Sequence, residues 1–258
     1  MAGVRTSDGF NLWYEQAGYG PTLLFPVRRR AEYDDLLTAL AQTFQVVRYK
    51  PRQMTVMEPD EGGGGPWEPQ ALRTYPIEME INDLHAVADA VGADQFVLSG
   101  YSGTAALAGF LAPSSGRVAG VMVGGFPLLC SYDYWLGCVE GTRMACQSAG
   151  LHAQAELAWV SVLLYREWVA RDDHTALSRL PGPKILWYGD RDSEPGCAMH
   201  DLLGGAAVAQ RINAATDDLH RAGFDVLRFD GLDHLGAVQQ ASIVAPRLAA
   251  ALGDAGWK

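Results

Sequence analysis

The stretch FVLSGYSGTAALAG (residues 96–109) passes from a continuous apolar run, through two glycines that flank Ser102, into an alanine-rich segment. An apolar run of this length followed by small residues and then by good helix formers predicts a buried strand, a tight turn and a helix. Ser102 lies at the turn. The small neighbours indicate either a purely geometric connection or a serine held out from the end of a strand, where it could act as a nucleophile.

Strand and helix signals alternate along most of the chain. Residues 3–17 predict a hairpin with Asp8 and Gly9 at its turn, which gives the sheet an antiparallel edge. Further strands are predicted at 22–27, 45–50, 95–99, 118–124, 184–189 and 224–230, and helices at 32–44, 77–92, 103–112, about 204–220 and 237–252. Because apolar strands separated by helices form parallel sheets, we predict an α/β fold whose mostly parallel sheet has about eight strands and helices on both faces.

Two segments interrupt this alternation. Residues 53–75 are rich in glycine, proline and acidic residues and predict a mobile surface loop without a phosphate-binding motif. Residues 127–181 have helical periodicity, many aromatic residues and no strand signal, which predicts a helical insertion. The predicted organisation is therefore a core in two parts, residues 1–126 and 182–258, with the insertion at 127–181 between them.

Composition limits the classes of function. The chain has 258 residues and a formal net charge of −10, which disfavours nucleic acid and anionic membranes as partners and leaves a small-molecule substrate. The N-terminal residues lack the apolar core of a signal peptide, no run is long enough to span a membrane, and we predict a cytoplasmic protein. The four cysteines are predicted to be free thiols, and no spacing indicates a metal or another cofactor. A monomer and a homodimer both stay open.

A serine nucleophile needs a base that accepts its proton and a third group that orients the base. Asp190 and Asp192 follow the strand predicted at 184–189, and His234 follows the strand predicted at 224–230. Each residue alone is a common loop or turn former. Three such residues at three strand ends, in the order Ser, Asp, His, predict a catalytic triad.

The sequence resembles the α/β-hydrolase superfamily over essentially its whole length. LSGYSGTA (98–105) is similar to the nucleophile elbow of that family, YGDRDS (188–193) to its acid turn and DGLDHLG (230–236) to its histidine loop. The resemblance implies that Ser102 is the nucleophile, His234 the general base and then acid, and Asp192 the orienting carboxylate, with Asp190 as the alternative acid. Thr104 stands where the family elbow usually ends in glycine.

The segment expected to complete the oxyanion hole departs further from the family. Family members usually carry His-Gly where LLFPVRRRAEY (23–33) has Pro26 and Val27. The resemblance implies that the Gly103 N–H is one donor, and because proline has no N–H, the second donor is expected to be the N–H of Arg28. Two interpretations of the run at 28–30 stay open: a solvated basic turn, or an arginine that reaches the pocket and binds an anionic group.

The resemblance also implies that residues 127–181 form a lid over Ser102. Aromatic and apolar side chains there could line a pocket for a bulky or aromatic acyl group. The predicted substrate contacts are Tyr101, Tyr132, Trp135 and Trp159, and Tyr134, Leu163, Leu164, Tyr165 and Trp168 are further candidates. The alternative is that most of these side chains pack the helices onto the core.

Three classes of function follow. The first is a serine hydrolase that cleaves an ester, thioester or lactone through an acyl-Ser102 intermediate. The second is a non-hydrolytic enzyme on the same scaffold, such as a lyase, cyclase or cofactor-free oxygenase, with His234 as the base. The third is a receptor-like protein that binds a ligand in the pocket. One fold hosts many chemistries, so the site residues favour the first class more than the fold does.

Overall fold

A computed structural model describes residues 2–59, 63–65, 67–130, 132–192 and 208–258. Its eight strands confirm the predicted number. They are β1 (Ala2–Arg5), β2 (Asn11–Ala17), β3 (Thr22–Pro26), β4 (Gln45–Tyr49), β5 (Phe96–Tyr101), β6 (Val118–Gly124), β7 (Lys184–Gly189) and β8 (Asp225–Phe229).

The strands form one sheet in the order β1-β2-β4-β3-β5-β6-β7-β8. The pairs β1/β2 and β2/β4 are antiparallel, and every other pair is parallel. The antiparallel edge comes from the hairpin predicted at residues 3–17. Strand β5 lies in the middle of the parallel part, so the serine that follows it is placed at the edge where ligands bind in such sheets.

Helices cover both faces of the sheet. The helices of the described residues are α1 (Asp34–Leu40), α2 (Arg52–Met57), α3 (Glu78–Ala90), α4 (Gly103–Leu111), α5 (Asp133–Ser148), α6 (His152–Ala170), α7 (Asp173–Ser178), α8 (Val208–Arg221), α9 (Gly236–Gln239) and α10 (Ala241–Asp254). Residues 204–207, where the fourth predicted core helix was expected to begin, lie outside the described residues. Within the described part of the chain, no helix has both the length and the apolar character that a membrane crossing requires.

Successive side chains of each strand point to opposite faces of the sheet, and this divides the core into two clusters. In β3, Leu23 and Phe25 pack with α1 and α10 on one face, whereas Leu24 packs with α3 and α4 on the other. Successive side chains of a strand point to opposite faces, so a fully apolar strand feeds both cores at once. Because both faces of such a strand are buried, the central parallel strands have continuous apolar runs in the sequence.

The segment between β6 and β7 is helical, as predicted. It contains α5, α6 and α7, and α5 packs along α6. Within the described residues Cys130, Cys138 and Cys146 of this segment take part in no disulfide, while Cys197 lies outside those residues. The division of the chain at residues 126 and 181 stays a prediction.

The prediction of a surface loop over residues 53–75 was wrong for two parts of that range. Residues 52–57 form α2, in which Arg52, Gln53, Thr55 and Val56 are buried, and Pro69–Thr74 form a 3₁₀-helix that packs against α6. Arg52 is bound by the carboxylate of Asp83 in α3. The ion pair with Asp83 allows the polar residues of α2 to be buried, because a buried charge needs a partner. The composition of residues 53–75 could not reveal a partner in a distant helix.

Glu80 of α3 is a buried carboxyl beside this helix. Gln53 Nε2 donates to Glu80 Oε1 at 2.9 Å, and the Tyr75 hydroxyl donates to the same oxygen at 2.8 Å. Oε2 has no hydrogen-bond partner among the described residues. Burial raises the pKa of Glu80 to about 7, with a further contribution from the negative charge of Asp83.

We expect Glu80 to make the fold less stable as pH rises. Because its pKa in the folded chain is about 7 and its ordinary value is 4.5, the free energy of unfolding should fall between these two pH values and stay lower above them. The Glu80→Gln variant should lose this dependence and be more stable than the wild type at pH 8, by about 3 kcal/mol at most. Urea unfolding across this pH range measures the effect. The prediction would be contradicted if the unfolding free energies of the wild type and Glu80→Gln changed with pH in the same way.

Candidate active site

Ser102 occupies a strained turn between β5 and α4. Its φ of 55° and ψ of −124° are values that non-glycine residues rarely adopt. A Cβ at Gly100 would lie 2.5 Å from the Thr104 carbonyl oxygen, so the turn requires glycine at that position. The Thr104 hydroxyl accepts from the Tyr101 N–H at 3.1 Å and donates to the Tyr101 carbonyl at 2.9 Å. Thr104, which stands where the family elbow usually has glycine, therefore stabilises the turn through both main-chain groups of Tyr101.

Asp192 and His234 form a buried pair, as predicted. Asp192 Oδ2 lies 2.7 Å from His234 Nδ1, and the two residues are 0% and 5% exposed. Asp190 is engaged elsewhere: it accepts hydrogen bonds from the Arg228 side chain at 2.9 Å and from the Gly231 N–H at 2.7 Å. Asp192, not the alternative Asp190, is thus the carboxylate beside the histidine.

Two consecutive glycines, the last residue of β6 and the residue after it, contact Ser102 and His234 respectively. The Ser102 N–H donates to the Gly124 carbonyl at 2.8 Å. Gly125 has a φ of +60°, and a Cβ there would lie 2.9 Å from His234 Cε1. The imidazole therefore lies over Gly125, the residue after the one whose carbonyl accepts the N–H of the half-buried Ser102. In the described structure no hydrogen bond joins Ser102 Oγ to His234, and such contacts are often long before substrate binds.

Tyr101, a predicted substrate contact, instead holds the histidine loop. Its hydroxyl donates to the His234 carbonyl at 2.6 Å, and the two rings lie 5.0 Å apart. The Tyr101 side chain is only 2% exposed. We interpret it as a positioning residue, since its hydrogen bond fixes the main chain of the residue expected to act as the base.

The two expected oxyanion donors differ in their surroundings. Gly103 is the first residue of α4, so its N–H has no acceptor within the helix. The Arg28 N–H is occupied, because it donates to Glu32 Oε2 at 2.6 Å. Sequence reasoning missed Glu32. The available signal was an acidic residue four positions after the expected donor, in a loop short enough to fold back.

Tyr33 connects this loop to the elbow. It has a φ of 65°, and its hydroxyl lies 3.5 Å from the Tyr101 carbonyl oxygen. Burial and the negative charge of Glu32 raise the pKa of Tyr33 well above its usual range, while the positive charge of Arg28 opposes the shift. The loop at 28–33 thus places a carboxylate, a guanidinium and a phenol beside the turn that carries Ser102.

A cavity of about 220 Å³ is lined by Gly103 and Thr104, the two residues that follow Ser102 in the elbow. Helices α2 and α6 supply much of its wall, including Gln53, Met54, Leu164 and Tyr165. A larger groove of about 900 Å³ lies between α2, α5 and α6 and shares Arg28 with the cavity. Among the described residues, no group of three or more His, Cys, Asp or Glu side chains could hold a metal ion.

The other predicted substrate contacts lie outside the lining of this cavity. Tyr132 donates to Asp173 Oδ2 at 2.6 Å and stacks on Trp168 at 4.2 Å, within a buried aromatic cluster that also contains Trp135 and Phe126. Trp159 donates to the Arg73 carbonyl at 2.8 Å and faces two arginine side chains. Of the predicted set, Leu164 and Tyr165 line the cavity. Most of the aromatic side chains pack the helices onto the core.

Comparison with known proteins finds similarity in structure. No protein-family model matches the chain, and no curated protein is significantly similar to it. An alpha/beta hydrolase from Sphaerobacter thermophilus is 21% identical, with a TM-score of 0.59 and coverage of 97% of this chain and 99% of that one. An enol-lactonase from Burkholderia xenovorans is 14% identical, with a TM-score of 0.61 and coverage of 98% and 100%.

A thermophilic esterase from Thermogutta terrifontis is 15% identical, with a TM-score of 0.62 and coverage of 98% of both chains. These similarities extend over nearly the full length of each protein, and the sheet of this chain matches the fold of these neighbours. The chain therefore has the fold of the α/β-hydrolase superfamily.

Proposed function

We propose that the protein is a serine hydrolase that cleaves an ester, thioester or lactone of a small molecule through an acyl-Ser102 intermediate. The observation that carries the proposal is the buried Asp192–His234 pair, which is linked through Gly125 and Gly124 to a serine held at positive φ. The names of the structural neighbours, which include a lactonase and an esterase, support hydrolytic chemistry.

In the proposed reaction His234 Nε2 accepts the Ser102 proton while Oγ attacks the carbonyl carbon. Asp192 holds the tautomer with the proton on Nδ1 and stabilises the imidazolium. The Gly103 N–H stabilises the oxyanion. His234 returns the proton to the leaving group, and a water molecule, deprotonated by the same histidine, releases the acid and regenerates Ser102.

The cavity dimensions support a substrate with a bulky part. A volume of about 220 Å³ beside Gly103 accommodates an acyl group, and the groove of about 900 Å³ extends the site for the remainder of the molecule. Apolar side chains of α5 and α6, such as Val139, Val160 and Leu164, line these spaces. We therefore propose that these helices act as the lid that excludes water from the acyl group.

The test is covalent labelling with an alkyl fluorophosphonate followed by intact-mass analysis. The wild type should gain the mass of one phosphonyl group, because an activated serine displaces fluoride from the reagent. The Ser102→Ala variant should gain none. Ser99→Ala, which alters a buried serine of β5, the strand that Ser102 follows, is the matched control and should label like the wild type. An unlabelled wild type, or labelling that survives in Ser102→Ala, would refute the proposal.

A second candidate is a non-hydrolytic reaction in which His234 removes a proton from the substrate and Ser102 holds it. The observation in its favour is the Glu32 carboxylate on the Arg28 N–H, which leaves Gly103 as the free expected donor. Losing one oxyanion donor lowers the rate of acyl transfer by about a hundredfold or more. Fluorophosphonate labelling also separates the two candidates, since the second does not need a nucleophilic Ser102.

A further inference from the structure

The Arg28 guanidinium lies directly against Gly103, the residue after the proposed nucleophile. A Cβ at position 103 would overlap Arg28 Nη2. Glycine at this position therefore does more than shape the elbow: it makes room for a cation at the mouth of the cavity. Arg30 has a different surrounding, with its guanidinium carbon 5.0 Å from the centre of the Trp13 ring. Arg28 is thus the arginine of the run that reaches the catalytic turn.

The charge of Arg28 is available to a ligand. Its side chain is exposed, and within the described residues it forms no ion pair. Glu32 binds the main-chain N–H of Arg28, so the five N–H donors of the guanidinium are left for another partner. The charged groups near it along the groove are Arg29, Glu32 and Glu58.

Arg28 also lies where the two spaces of the site meet. It lines both the cavity beside Gly103 and the larger groove, together with Met54, Val139 and Ser161. A ligand that occupies both spaces contacts the residues that they share, and Arg28 is the charged one among them. The other three shared residues offer little charge, so a polar group at this point of the ligand would meet Arg28 first.

We propose that Arg28 binds a carboxylate carried by the substrate and so makes the enzyme selective for anionic over neutral esters. The inference rests on the proposed hydrolase function. A guanidinium matches the planar geometry of a carboxylate and can donate two parallel hydrogen bonds to it. The Arg28 side chain is exposed in the free protein, and a ligand that fills the groove between α2, α5 and α6 would exclude water from part of it, which strengthens such a charge-assisted pair.

The test compares two esters with the same leaving group: para-nitrophenyl hexanoate and the para-nitrophenyl half-ester of adipic acid, which carries a terminal carboxylate. The wild type should have the higher kcat/KM for the half-ester. Arg28→Gln keeps the main-chain N–H and should lower the ratio of kcat/KM for the half-ester to kcat/KM for the hexanoate about ten- to a hundredfold. Arg30→Gln, from the same run, should retain the wild-type ratio.

Gly103→Ala provides a second route to the same result. The added methyl group should displace the guanidinium while both main-chain N–H groups and the charge of Arg28 are retained. This variant should lose the preference for the half-ester as Arg28→Gln does. The same ratio of kcat/KM values in wild type, Arg28→Gln and Gly103→Ala would overturn the proposal.

Binding to a protein that cannot react separates this proposal from the hydrolase function. Ser102→Ala should bind monomethyl adipate more tightly than methyl hexanoate in calorimetric titration, and adding Arg28→Gln should remove the difference. If Ser102 is not labelled but this difference is seen, the carboxylate site stands and the hydrolase proposal falls. If Ser102 is labelled and the two ligands bind Ser102→Ala equally, the carboxylate proposal falls alone.

Discussion

Replacing Asp192 with asparagine is expected to lower kcat/KM about ten-thousandfold while the fold stays intact. Asp192 Oδ2 lies 2.7 Å from His234 Nδ1, and its carboxylate is fully buried. An asparagine of the same shape carries an amide that can donate to Nδ1. The imidazole would then hold its proton on Nε2, the nitrogen that must accept the proton of Ser102.

The same change should slow fluorophosphonate labelling of Ser102 by a similar factor, so the measurement does not depend on knowing the natural substrate. Asp190→Asn is the matched control, because Asp190 is two residues away and interacts with Arg228 and Gly231 instead. It should label at close to the wild-type rate. Equal losses in the two variants would show that the turn as a whole, and not Asp192, supports the histidine. Far-ultraviolet circular dichroism checks that both variants are folded.

The residues of the proposed triad were predictable because each follows a strand whose apolar run is visible in the sequence. Parallel strands end at one edge of the sheet, so Ser102, Asp192 and His234 converge there even though they are far apart in the chain. The tight turn at Ser102 was predictable for a similar reason, since Gly100 and Gly103 lie on either side of it. The local sequence pattern and the sheet topology are therefore sufficient to predict this part of the site.

The parts that could not be predicted depend on contacts between distant or flexible side chains. Nothing local to Gln53 and Met54 indicates that a polar segment forms a helix and a wall of the cavity. Likewise, helical spacing does not distinguish Tyr132, which packs in the aromatic cluster, from Tyr165, which lines the cavity. The direction of each side chain is set by the packing of α5 and α6, which the sequence pattern leaves undetermined.

Arg52 is the distant contact with the largest expected effect on stability. It is 1% exposed, and it donates to Asp83 through Nε at 2.9 Å and through Nη2 at 2.6 Å. Nη1 also donates to Asp8 at 2.5 Å, in the turn that joins β1 and β2. One guanidinium thus links that turn, α2 and α3, and α2 carries Gln53 and Met54 into the wall of the cavity.

The Arg52→Met variant is expected to lose about 3–5 kcal/mol of unfolding free energy in urea, because it leaves the Asp83 carboxylate buried without its partner. Arg48→Met is the matched control. Arg48 pairs with Glu15 and Asp34 in a more exposed setting, so its loss should cost about 1 kcal/mol or less. Similar losses of unfolding free energy in Arg52→Met and Arg48→Met would contradict the larger contribution assigned to the buried Arg52–Asp83 pair.

The stability loss of Arg52→Met could come from the unpaired charge of Asp83 or from lost packing, and removing Asp83 as well distinguishes the two causes. The double variant Arg52→Met with Asp83→Leu should recover much of the stability, since two apolar side chains of suitable volume often replace a buried ion pair without loss. Burial already raises the pKa of Asp83, against the opposing effect of Arg52, so removing the arginine should raise it further. An acid whose pKa is higher in the folded chain costs stability only where it is ionised. The deficit of the single variant should therefore shrink as pH is lowered, whereas a deficit caused by lost packing would not change with pH.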